Sequence, residues 1–174
     1  NKIYDEMIDF AKYAFNKSHA AAYAVVSYQT AWLKYYYPVE FMAALMTSVI
    51  DNPGKVSEYI YSCRQMGIKI LPPDINKGEG SFSVDGGNIR YGLAAIKSIG
   101  KPVIESIIQE RKNGGEFSNL KDFIERLSGK EVNKRTIESF IKSGAFDSLG
   151  GTRKQFMVVY VQILDQVNRE RKYS

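Results

Sequence analysis

The sequence predicts a mainly α protein with one small β-hairpin near its middle. Three observations carry this reading. Apolar residues recur every three or four positions from Ile3 to Met66. The pattern then breaks at Pro72-Pro73 and alternates with period two around 80–91. Helical spacing returns beyond Tyr91, punctuated by Gly114-Gly115 and Gly150-Gly151.

The elements follow in order. Ile3, Met7, Ile8, Phe10, Ala11 and Ala14 predict an amphipathic helix over the first 14 residues. A second helix is expected from about Ser18 to Tyr36. Val25, Tyr28, Trp32 and Tyr35 line one face, and Ala22, Val26 and Leu33 line the other, so it should be largely buried. Pro38 suits the first turn of a third helix reaching about Val49. Asn52-Pro53 opens a fourth, striped by Val56, Tyr59, Ile60, Cys63 and Met66 and stopped by Gly67. Ile68 to Leu71 is short and extended, and Pro72-Pro73 forbids helix. Gly80 to Val84, a turn at Asp85-Gly86-Gly87, and Asn88 to Tyr91 form the hairpin. A domain boundary is expected at about Leu71. Helices are then expected near 92–97, 101–112, 118–127, 133–143 and 152–170, with Ser118, Asn133 and Thr152 as N-caps.

Composition excludes several classes. The 174 residues, 44% of them hydrophobic, suffice for one domain or two small ones. One cysteine rules out an internal disulfide framework, and Cys63 falls in an apolar stripe where it packs. No apolar run reaches the 18 or so residues of a membrane span; Ala20 to Leu33 is interrupted by Ser27, Gln29 and Thr30. Asn1, in place of Met, stands in the middle of a helical pattern and suggests an excised fragment. A soluble, cytoplasmic protein with no membrane partner is expected. The formal net charge is +5, and most of it lies late. Residues 1–70 carry 7 Lys+Arg against 6 Asp+Glu, and residues 71–174 carry 17 against 13. Lys130, Lys134, Arg135, Lys142, Arg153 and Lys154 fall close together in sequence. Such a stretch suits nucleic-acid phosphates or, equally, a solvated mixed-charge surface.

Two stretches carry chemistry. In Phe15-Asn16-Lys17-Ser18-His19-Ala20, Asn16 or Ser18 can cap the helix that the alanines open. Lys17 and the single histidine, His19, then stand at a positive helix end that prefers an anion, and with the first-turn amides they form a phosphate site. The alternative is a solvated Lys17 and a packing His19. Further on, Leu93 to Ile104 reads as helix, glycine turn and helix, and Ile137 to Gly150 repeats this less faithfully. The pair resembles a tandem helix-hairpin-helix module. A glycine there lets backbone approach a phosphate while the next helix's amides point at its oxygens, a contact blind to base sequence. Ser98 stands where this hairpin commonly has a glycine, two positions before Gly100. An ordinary αα-corner is the competing reading. No Asp-x-Asp pair, Cys/His cluster, Walker loop or Ser-His-Asp set occurs.

Five blocks, in order along nearly the whole chain, resemble the C-family of bacterial replicative DNA polymerases. They are Phe15 to Ala24 continued by Tyr28 to Lys34, Tyr37 to Ala44, Ile70-Leu71-Pro72-Pro73-Asp74-Ile75-Asn76, Tyr91 to Lys97, and Ser143 to Asp147. The resemblance implies that residues 1–70 are the C-terminal part of the fingers. Residues 71–174 would then be a duplex- and clamp-binding domain with tandem helix-hairpin-helix motifs. Phe15, Lys17 and His19 would lie near the incoming deoxynucleoside triphosphate, none of them the chemical catalyst. Ser98, Gly100 and Lys101 would hold product duplex DNA, with Arg153 and Lys154 as second-hairpin contacts. The parent's Mg²⁺ ions would sit on palm aspartates that precede the fingers, so the fragment alone is expected to be inactive and to need no cofactor. The sliding-clamp peptide is expected beyond Ser174, because Gln155-Phe156 is a poor substitute within a helical pattern. A free-standing repair-type DNA-binding module leaves the 15–44 block unexplained. A Tyr-rich docking scaffold leaves the Phe15 to His19 cluster accidental.

Overall fold

A computed structural model describes the backbone of residues 2–130 and 132–173, and the side chains of residues 19–130 and 132–173. It contains seven α-helices and one three-stranded sheet among the described residues. The chain forms two compact units, Asn1–Phe41 and Met42–Ser174.

The first unit is dominated by one helix, α1 (Lys2–Tyr36), 35 residues without a break. The expected division near residue 16 does not occur. Breaking the helix would mean nucleating a second one, which is unfavourable. Asn16, Ser18 and His19 cost at most about 0.7 kcal/mol each inside a helix. With alanines on either side and neither glycine nor proline between residues 2 and 36, the unbroken helix wins. It stops at Tyr37, which precedes Pro38 and is pushed out of the helical region. The expected burial also fails: residues 19–37 are all exposed, Tyr28 at 70% and Tyr35 at 78%. A single helix with apolar residues all round has nothing within its own unit to pack against.

Pro38 opens α2 (Pro38–Ser48), whose Met42, Ala43 and Met46 are buried. Asn52 caps α3 (Pro53–Gln65) by accepting from the Lys55 amide at 3.1 Å. Cys63 is fully buried there, which raises its thiol pKa. A central strand orders the next segment. Strand β1 (Ile70–Leu71) runs parallel to β3 (Asn88–Arg90), and β2 (Ser83–Asp85) pairs antiparallel to it in the register Ser83↔Arg90, Val84↔Ile89, Asp85↔Asn88. The Gly86-Gly87 turn has positive φ at both residues, as a two-residue hairpin with right-twisted strands requires. The pairing of β1 has no sequence signal, since two residues show no period.

Between β1 and β2 the Pro-Pro-Asp-Ile-Asn block ties down without regular structure. Asp74 Oδ1 accepts from the amides of Asn76 (2.8 Å) and Lys77 (3.0 Å). The Asn76 side chain donates to the Phe117 carbonyl and accepts from its amide, at 2.9 and 2.8 Å.

Four helices complete the unit: α4 (Lys101–Gly114), α5 (Leu120–Leu127), α6 (Lys134–Ser143) and α7 (Arg153–Tyr173). Their apolar faces close over one core. Phe123, fully buried, meets Phe117, Phe140 and Phe146 edge-on at centroid separations of 5.0, 6.0 and 4.9 Å. Such ring pairs contribute about 0.5–1.5 kcal/mol each beyond their burial. Asn133 caps α6 as expected, through the Thr136 amide at 3.0 Å. Thr152 and Gln155 exchange bonds in a capping box at the start of α7. At α5 the cap is Asn119 rather than Ser118. Ser118 stands one residue earlier and donates to Asp122 instead. Arg126 holds the α4–α5 connection: its guanidinium lies 4.3 Å above the Phe117 ring and donates to the carbonyls of Glu110 and Gly115, both at 2.9 Å.

Candidate nucleic-acid interface

The first hairpin is built from a tight approach and a left-handed turn. Gly92 leads into a 3₁₀ turn at Leu93–Ala95 rather than the helix expected over 92–97. A Cβ on Gly92 would come within 2.8 Å of the Gly80 carbonyl oxygen, so only glycine fits against that loop. Ile96 is extended at φ −71°, ψ 127°, which ends the turn after three residues. Ser98 then takes φ 72°, the only positive φ outside glycine among the described residues. This is the position where the hairpin commonly has glycine, and the backbone keeps the left-handed geometry at a cost of roughly 1–2 kcal/mol. Gly100, the N-cap of α4, has φ −83° and ψ 156°, an ordinary extended conformation. Among the described residues no side chain caps its first-turn amides. Pro102 in the first turn removes one orphan donor and fixes the direction of the helix.

Ser98, Gly100 and Lys101 are all exposed on this turn. Ser98 and Lys97 line an open groove of about 1010 Å³, with Ser139, Lys142 and Ser143 of α6 on its other side. Arg135, in the first turn of α6, reaches across 37 positions of sequence and donates from Nη2 to Ser98 Oγ at 3.2 Å. Sequence reasoning missed this residue as a site candidate. Its one signal was membership of the basic stretch.

The second hairpin follows α6. Gly144, left-handed at φ 87°, closes the helix: its amide donates to the Ile141 carbonyl and the Ala145 amide donates to that of Phe140. Arg153, in the first turn of α7, is engaged here. Its Nη2 donates to Asp147 Oδ2 at 2.7 Å and its Nε to Asp147 Oδ1 at 3.0 Å. The carboxylate raises the guanidinium pKa and offsets its charge in place. Lys154 is exposed beside it.

In the other unit, His19 is exposed and its ring meets Tyr23 edge-on at 4.5 Å. The side chains of Phe15 and Lys17 lie outside the described residues. Because α1 passes through residues 15–20 unbroken, no helix begins there, and the free amides of the expected phosphate site are absent. Among the described residues no group of three or more His, Cys, Asp or Glu side chains could hold a metal. Among the described residues no helix is long and apolar enough to cross a membrane.

Two hairpins, each with a left-handed residue before the next helix, define a helix-hairpin-helix protein. The family model described as "Helix-hairpin-helix motif" matches residues 67–156, and the chain belongs to that family. Along most of its length the chain is similar to bacterial proteins named DNA polymerase III subunit alpha. It is 54% identical over 157 residues to that of Escherichia coli K12 and 53% identical over 157 residues to that of Vibrio cholerae. It is 45% identical over 170 residues to that of Mycobacterium tuberculosis. These alignments cover 90%, 90% and 98% of the chain, but only 14% of each relative's length.

Proposed function

We propose that the chain is the segment of a bacterial replicative DNA polymerase that grips duplex DNA, without sequence preference, behind the site of synthesis. The observation that carries this is the Ser98–Lys101 turn, with open amides at the start of α4 in a chain of the helix-hairpin-helix family. Open amides and lysines recognise phosphate oxygens, which are alike at every base pair. Residues 71–174 carry this contact. Residues 1–70 form the C-terminal part of the fingers, where Phe15, Lys17 and His19 lie near the incoming deoxynucleoside triphosphate, and the exposed aromatic surface of α1 is covered by other parts of the polymerase. The described residues do not fit the Mg²⁺ ions of polymerisation, so no step is assigned to them through a metal.

The test is duplex binding against salt. Lys97, Lys101 and Arg135 around the first turn make no ion pair among the described residues, and Lys154 adds a fourth cation at the second hairpin. Three to four neutralised phosphates give a slope of log affinity against log salt of about −2.7 to −3.6. A scrambled duplex should bind equally well. A salt-independent affinity, or strong preference for one sequence, would overturn the reading.

A further inference from the structure

Four other arginines of the second unit are committed to carboxylates: Arg90 to Asp85, Arg111 to Glu79, Arg126 to Glu110 and Asp122, and Arg153 to Asp147. Arg135 is not. Its hydrogen bond goes to a neutral hydroxyl, Ser98 Oγ, on the one strained non-glycine residue of the described chain. That geometry has a chemical consequence. Ser98 Oγ accepts from the guanidinium, so its own hydrogen stays available for a second partner, and among the described residues none takes it. The guanidinium likewise uses one of its five N–H donors and keeps its full charge. A cation and a preset hydroxyl therefore stand together at the exposed turn that α4 follows.

Resting on the duplex-binding reading above, we propose that Arg135 and Ser98 form one composite phosphate contact. Arg135 supplies the charge and positions the Ser98 hydroxyl, which donates to the same backbone phosphate. The contact joins the first hairpin to the helix that opens the second, so one phosphate is held by both halves of the module. It also accounts for serine at a position whose φ favours glycine. A hydroxyl there is useful to binding, although the backbone would be more relaxed without it.

The experiment compares the chain with Arg135→Gln, Arg135→Lys, Ser98→Gly and the Arg135→Gln/Ser98→Gly double variant. Each is assayed for duplex binding by fluorescence anisotropy across about 50–200 mM salt and for melting temperature. Arg135→Gln should weaken binding roughly tenfold and make the salt slope shallower by about 0.9. Arg135→Lys should restore the slope. Ser98→Gly should weaken binding severalfold at unchanged slope, without lowering the melting temperature, because glycine relieves the turn. In the double variant the serine effect should shrink, since the hydroxyl is already unpositioned. A purely structural bond predicts the opposite pattern: lower melting temperatures, with slope and affinity intact, and that result overturns the proposal. If the parent chain binds no duplex, the broader reading falls with it. If the parent binds and Lys101→Ala makes the slope shallower while Arg135→Gln does not, only the composite contact falls.

Discussion

Replacing Gly100 by alanine separates what this turn does for binding from what it does for folding. The residue sits at φ −83°, ψ 156°, open to any amino acid. An added Cβ would meet only Pro102 Cδ, at an ordinary 3.6 Å. Two small effects on stability then oppose each other. Alanine narrows the unfolded ensemble, worth about 0.4–1 kcal/mol. It is also a poorer N-cap than glycine, costing roughly 0.5–1.5 kcal/mol. The net change should stay within about 1 kcal/mol, a few degrees in Tm for a unit of this size. Binding should respond differently. On the duplex-binding proposal the Cβ would stand where a phosphate approaches the amides of α4, and one lost charge-assisted hydrogen bond costs about 1.5–3 kcal/mol. At 1.4 kcal/mol per factor of ten, that is about a ten- to hundredfold loss of duplex affinity. No cation is removed, so the salt slope should not change. Thermal melting and anisotropy titrations on the same preparation give both numbers. If Gly100→Ala binds as tightly as the parent, no phosphate comes close to the start of α4 and the turn is an ordinary corner.

Two further outcomes follow. The carboxyls of Glu110, Asp122 and Glu138 have lowered pKa values in the folded chain. Glu110 is lowered mainly by the Lys130 hydrogen bond, then by Arg126. At Asp122 burial pushes the pKa up, but its hydrogen bonds with Ser118 and then Arg126 together outweigh it and lower the pKa. Glu138 is lowered by the Tyr160 hydroxyl. A lowered folded-state pKa stabilises fully above the unfolded value of about 4, and that stability is lost as pH falls through the folded one. The melting temperature should therefore hold from pH 7 to about 5 and fall below about 4, while Glu110→Gln should lower it at pH 7 by a margin that closes in acid; a margin independent of pH would refute the assignment. In the full-length polymerase, Lys17→Ala should raise KM for all four deoxynucleotides alike, because a lysine on a phosphate cannot tell bases apart; unchanged steady-state kinetics would remove Lys17 from the nucleotide's surroundings.

Much of the fold was legible because its elements bury one face at a clear period. Helices α3 to α7 and the Gly86-Gly87 hairpin all answer to apolar spacing, caps and turn glycines. The failures have physical causes. Asn16 and Ser18 looked like caps, but a cap signal does not end a helix when no glycine or proline interrupts it, and α1 runs through. The all-round apolarity of residues 18–36 signalled a need for partners without saying whether this chain supplies them, and residues 19–36 are exposed. At the hairpin, Ser98 is conspicuous as a departure from glycine, and the structure gives it a left-handed φ of 72°. Arg135 could not have been singled out, because a contact spanning 37 positions leaves no local pattern. The family, by contrast, was legible from separated blocks whose order along the chain is itself information.

The location of charge matters more here than its total. Residues 71–174 hold four more basic than acidic side chains, yet four of their arginines are occupied by carboxylates within the fold. Two of these do structural work at loops: Arg126 secures the end of α4, and Arg153 secures the Gly144 turn through Asp147. Lys97, Lys101 and Arg135 are left with no such pairing among the described residues, and all three lie at or against one turn. On the duplex-binding proposal, an anionic polymer would meet at that turn a cluster of unpaired charge beside open amides. Contacts of this kind would, on the same proposal, grip a phosphate backbone without reading its sequence, as a segment past which product base pairs slide requires.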